Sequence, residues 1–183
     1  SVMLSSIFSN TTIEYLGYTL NIIALILYFY QIYLIYKTRV RLEKDIYFKS
    51  LMFSYFSLIV AIGMGIVYLI YPSQSLLLSI AWVLFMGYIM FIITGHLYKI
   101  VPFLVWYQKF SPLIGKKKVP MLKDMIPIKS ANFQFLFSAV GVTIVTFSIL
   151  FINNDIFKAG ISFLFVGSIF MVKDLLYMIN FEE

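Results

Sequence analysis

One histidine stands in the chain, His96, and it has no cysteine to work with, since the sequence contains none. An imidazole at that place has three uses. It can ligate a haem iron through a ring nitrogen, act as a proton-linked switch or relay, or sit at a helix end with no chemistry. A bis-histidine haem needs a second imidazole, which one copy of the chain lacks. Disulfides, thiolate metal sites, iron–sulfur clusters and cysteine-attached haem are excluded for this chain alone. The other groups able to do chemistry are polar residues inside apolar segments. Gly17, Asn21, Ala24, Tyr28 and Gln31 fall on one helical face, where amides need partners. Ser50, Ser54, Ser57, Ala61 and Gly65 form a stripe of small residues that suits close helix packing; a hydroxyl-lined path is the alternative. Asp174 follows Lys173 near the end of the last apolar segment. There it reads as a structural anchor compensated by Lys173 or by a base of the connecting loops.

Everything else is arranged to carry those residues through a bilayer. The chain is 62% hydrophobic and 12% charged over 183 residues, with a mean hydropathy of +0.95; a soluble domain carries about 25% charged residues. Five segments meet the roughly 20-residue requirement for a membrane-crossing helix. They run over about 13–36, 48–71, 76–98, 133–152 and 156–180. None alternates polar with apolar as a barrel strand does. Tyr71-Pro72-Ser73-Gln74 and Asn153-Asn154-Asp155 are the turns of two antiparallel hairpins.

The basic residues orient these helices. Lys37, Arg39, Arg41, Lys44 and Lys49 fall between the first two segments. Lys99, Lys109, Lys116, Lys117, Lys118, Lys123 and Lys129 fall between the third and fourth, and Lys173 near the end of the fifth. Thirteen of the 14 bases thus share one side and only Lys158 lies on the other. The positive-inside rule then places the N-terminus outside and the C-terminus inside. The start lacks the basic region and short apolar run of a cleaved signal peptide. An N-outside entry suits either the tail of a longer protein or a small subunit inserted beside a partner. The net charge of +6 reads as topology and contact with anionic lipid through Lys116, Lys117 and Lys118, not as nucleic-acid binding.

The segment 99–129 is the only substantial stretch outside the apolar runs. Pro102 is expected to kink or end the third helix. Phe103, Trp106, Tyr107 and Phe110 with Lys109 then form a short interfacial helix on the cytoplasmic face. Within this region the words Gly95-His96-Leu97-Tyr98-Lys99, Pro102-Phe103-Leu104-Val105-Trp106, Ser111-Pro112-Leu113 and Gly115-Lys116 stand out. Over residues 95–127 the sequence resembles helical membrane proteins related to haem-copper oxidase subunit I, especially divergent relatives from respiratory gene neighbourhoods. In that family several histidines hold haems and a copper. With His96 alone, the resemblance implies a chain that has lost those metal sites or left them elsewhere.

The expected fold is therefore all-α: a polytopic membrane protein of five transmembrane helices plus a short interfacial helix, N-outside and C-inside, in one domain over 1–183. The expected setting is the multi-pass membrane of a cell, a bacterial inner membrane. The expected function is non-catalytic: an accessory or degenerate component of a respiratory or haem-related assembly, partnered by lipids and by other membrane subunits or by its own copies. A haem- or quinone-binding redox protein using His96 is one alternative, and a small transporter or channel is another. No phosphate-binding glycine loop, catalytic triad or metal-spaced motif is present in the sequence.

Overall fold

The computed structural model describes residues 11–38 and 45–181; Arg39, Arg41 and Lys44 of the first basic run lie outside them. The described residues form helices and connections, with no strand among them. They divide into two units, 1–43 and 44–183. The first unit holds α1 (Thr11–Lys37). The second holds α2 (Ile46–Ile70), α3 (Gln74–Lys109), α4 (Ile128–Phe151) and α5 (Asn154–Ile179). All five are long and apolar enough to cross a membrane.

Within α1, two polar residues bond to the helix's own backbone. Thr19 Oγ1 donates to the Tyr15 carbonyl at 2.8 Å and Asn21 Nδ2 to the Gly17 carbonyl at 2.9 Å. Such bonds satisfy a donor in an apolar setting without a neighbouring helix.

In the second unit the helix ends follow local capping chemistry. Asp45 caps α2, its carboxylate accepting from the Phe48 N–H at 2.8 Å. Ser73 caps α3 through the Leu76 N–H at 3.3 Å. Asn153 Oδ1 accepts from the Asp155 and Ile156 N–H groups at 3.0 and 3.1 Å. Each meets backbone donors that the first helical turn leaves unpaired. Ile152, just before, takes a left-handed conformation (φ 52°) that ends α4 and turns the chain directly into α5.

The bundle of α2–α5 is held by small residues placed where backbones meet. A Cβ added at Gly141 would lie 2.9 Å from the Leu164 nitrogen and 3.0 Å from the Gly160 carbonyl oxygen. One at Gly160 would lie 2.6 Å from Val145 Cγ2, and one at Gly167 would lie 2.5 Å from Ser138 Oγ. These glycines let α4 and α5 approach to backbone contact, where dispersion is gained without a hydrophobic driving force from lipid. Between α2 and α3 the same role falls to Ser57 against Gly87 and Ser50 against Gly95. Ser50, Ser54, Ser57 and Ala61 are buried, whereas Gly65 is half-buried with nothing within 4 Å of an added Cβ. The rings of Phe53, Phe91 and Phe135 meet at 4.4–6.1 Å between centroids and fill the space where α2, α3 and α4 converge.

The structure differs from the sequence reading in the third helix. At 36 residues, α3 runs past Pro102 to Lys109. Phe103–Lys109 are its last two turns, not a separate interfacial helix. A proline deletes its own N–H and leaves the bonds of later turns intact, and the Pro102 ring is fully buried in the bundle. Upstream, Val83–Ile89 winds as a π-helix beside the close Ser57–Gly87 approach, and Trp82 Nε1 donates to the Val142 carbonyl at 3.3 Å. The helix starts also shift: α2 begins at Ile46 and α4 at Ile128.

Gly160→Ala drives its methyl group into Val145 and is expected to lower stability by about 1–3 kcal/mol, the usual range for overpacking. Gly65→Ala, which meets open space, should leave stability unchanged or raise it by up to about 1 kcal/mol through helix propensity. Thermal unfolding of the two variants in one detergent checks the difference.

Candidate functional site

At the basic end of the bundle four helices bring a tyrosine and a carboxyl group together. Ile46 opens α2, Ala131 lies in the first turn of α4, and Asp174 and Met178 lie in the last two turns of α5. Tyr98, three turns before the end of α3, packs among them. The Tyr98 hydroxyl donates to Asp174 Oδ2 at 2.6 Å, linking residues 76 apart in the sequence. Both side chains are fully buried. A short bond to a carboxyl oxygen in a low-dielectric setting is among the stronger hydrogen bonds available to a protein.

The same end of the bundle holds other buried oxygens. Asp174 Oδ1, Gln134 Oε1, Ser130 Oγ and Ser50 Oγ are buried without a hydrogen-bond partner among the described residues. Gln134 Nε2 donates to Ser138 Oγ at 3.1 Å. On their helices Ser50, Ser130 and Gln134 all fall within about one turn of Ile46 or Ala131, the residues that touch Tyr98. The layer offers a carboxyl oxygen, an amide oxygen and two hydroxyls, and no thiol or second imidazole. Among the described residues no group of three or more His, Cys, Asp or Glu is placed to hold a metal ion.

The connection after α3 closes over the layer. Ile126 and Val101 pack against the Tyr98 cluster. Below it, Met125 is fully buried against Val105 and Phe110, flanked by Trp106, Leu113, Val119 and Phe181. Trp106 Nε1 donates to the Pro120 carbonyl at 2.9 Å. Lys109 Nζ donates to the carbonyls of Ile179 and Phe181 at 3.1 and 3.3 Å, neutralising the negative end of α5.

The residues singled out from sequence lie in different places. His96, half-buried, sets its ring edge-on to Tyr47 at 5.2 Å. Its Nδ1 lies 2.8 Å from the Ile92 carbonyl; a carbonyl only accepts, so this nitrogen carries the proton. Lys99 Nζ sits 3.7 Å from the centroid of the same Tyr47 ring, a cation–π contact. Asn21 and Gln31 are exposed and Tyr28 half-buried on α1, a unit described by itself. Lys116, Lys117 and Lys118 are exposed on the connection between α3 and α4. Asp174 departs from expectation, because Tyr98 is its partner and Lys173 turns toward Phe170 at 5.9 Å. The only ion pair among the described residues is Lys158–Asp155, which is exposed. Lys49 bonds Asn132 Oδ1 at 2.6 Å and so ties α2 to α4 as well as carrying a topogenic charge. Sequence reasoning passed over Tyr98 itself. The signal was there: Phe91, Thr94, Gly95, Tyr98, Pro102 and Val105 recur at helical spacing and all face inward.

No family model matches the chain, and neither a curated protein nor a solved structure is found to match it.

Tyr98→Phe leaves Asp174 buried without its donor and is expected to cost about 1–3 kcal/mol. In an Asp174→Leu background the sign should reverse, because the orphaned group is then the tyrosine hydroxyl and Tyr98→Phe removes it. Unfolding measurements on the four chains of this double-mutant cycle check the coupling.

Proposed function

We propose that the chain is a non-catalytic, multi-pass subunit of a bacterial inner membrane, with the N-terminus outside and the C-terminus inside, built to pack against partner helices. The observation that carries this reading is the backbone-level contact of the second unit. Gly141, Gly160 and Gly167 between α4 and α5, with Ser57–Gly87 and Ser50–Gly95 between α2 and α3, fill the interior with atoms of the chain itself. Such an interior favours a rigid scaffold over a hydrated path lined by the serines of α2.

The partner-seeking element in this proposal is α1. On its face of Gly17, Asn21, Ala24, Tyr28 and Gln31, the Gly17 carbonyl meets Asn21 Nδ2, and the exposed Gln31 amide is the group that lipid would leave without polar company. The charge distribution supports the orientation, with 13 of 14 bases on the side of the first and third connections. The resemblance over residues 95–127 suggests respiratory, haem-related assemblies as the setting.

A photo-crosslinking residue at Asn21 or Gln31 should capture a protein partner or a second copy in native membranes, and one at Ile22, which points away from that face, should capture less. A lone chain in mild detergent, with no adduct at either position, would overturn the proposal. A haem absorption band in the purified material that His96→Ala abolishes would transfer the reading to a redox protein.

A further inference from the structure

The segment between α3 and α4 is folded, and it presents its charge on a fixed turn. The Lys116 and Lys117 N–H groups bond the Leu113 carbonyl at 3.0 and 3.1 Å. Gly115 supplies the left-handed φ of 81° that this turn requires. The buried Phe110 pins the segment before the lysines, and the Trp106–Pro120 bond and the buried Met125 pin it after them. The bases of the neighbourhood divide into two groups. Lys109 serves the end of α5, Lys49 bonds Asn132, and Lys99 lies over Tyr47. Lys116, Lys117 and Lys118 are exposed, and their side chains have no hydrogen bond or ion pair to any described residue. The only acid between Lys99 and Lys129 is Asp124, and its Oδ2 accepts from the Met121 N–H at 3.1 Å.

The surroundings decide what these charges meet. Ile114 before them is 57% exposed; Met121 and Leu122 after them are 65% and 40% exposed. Bases flanked by exposed apolar side chains fit a surface that is anionic at its face and apolar just beneath it, which is the headgroup region of a bilayer. Position agrees. At 36 residues, α3 is about 54 Å long against roughly 30 Å of hydrocarbon. Its end, with Trp106, Tyr107 and the attached turn, therefore reaches past the hydrocarbon into the interface.

We propose that the Lys116–Lys118 turn, with Ile114, Met121 and Leu122, is a docking surface for anionic phospholipid headgroups, which would hold the cover of the Tyr98–Asp174 layer against the membrane. The proposal rests on the membrane reading alone. A failure here leaves the crosslinking outcome at α1 untouched, and the reverse also holds.

The test is native mass spectrometry of the full chain in detergent, titrated separately with phosphatidylglycerol, phosphatidylcholine and inorganic phosphate. The anionic lipid should be retained at least tenfold more tightly than the zwitterionic one. Changing all three lysines to Gln should weaken it by about a hundredfold, from roughly fivefold per base near an anionic surface. Changing all three to Arg should restore it, which separates charge from any loss of folding. Ile114→Ser with Met121→Ser should weaken the lipid while leaving inorganic phosphate unaffected. Equal retention of both lipids, an unchanged affinity in the Gln variant, or displacement of the lipid by equimolar inorganic phosphate would overturn the proposal.

Discussion

The hydrogen bond from Tyr98 to Asp174 is the constraint on which the second unit turns. A carboxyl group inside a helix bundle is costly unless donors meet it, and the one donor supplied among the described residues comes from a different helix at 2.6 Å. That fixes the rotation and depth of α3 against α5 at once. Ile46, Ala131 and Met178 pack on the same pair, so the starts of α2 and α4 are set to the same level. The connection through Met125 and Ile126 then has a formed surface to close on.

Away from that layer the bundle relies on closeness. The Gly and Ser seams bring backbones together, and large apolar side chains such as Leu69, Phe85 and Phe165 stay exposed on the outside. In water this arrangement would fail, because its apolar surface faces outward. In lipid it is the favoured one, since chain and solvent are equally apolar and only packing and polar bonds distinguish inside from outside. The two halves of the structure are complementary: seams hold the middle, and a polar layer with its cover holds the basic end.

The five helices were legible in the sequence because length and apolarity are properties of each segment alone. The bounds were less legible. Pro102 reads as a stop, yet it removes one hydrogen bond from a helix of 36 residues and its ring is buried by neighbours that the local sequence does not reveal. The small residues Ser50, Ser54, Ser57 and Ala61 were readable as a stripe, but which helix approaches them was not. The π-helical turn at Val83–Ile89 depends on contacts with α2 and α4, so no local pattern announces it. Asp174 was conspicuous, and its adjacent Lys173 was the obvious partner. The actual partner was one of 14 tyrosines, recognisable only through the inward phase it shares with Gly95 and Pro102.

The proposed orientation puts the basic end of the bundle, with its polar layer and its cover, toward the cytoplasm. The absence of cysteine from the sequence makes single-thiol labelling of intact cells with a membrane-impermeant maleimide the most direct test. A thiol in place of Ser73 or Asn154, at the two short turns, should be labelled from outside. One in place of Ile114, which leaves every base intact, should be labelled only after the membrane is opened. Labelling at Ile114 in intact cells, with Ser73 and Asn154 protected, would contradict the account.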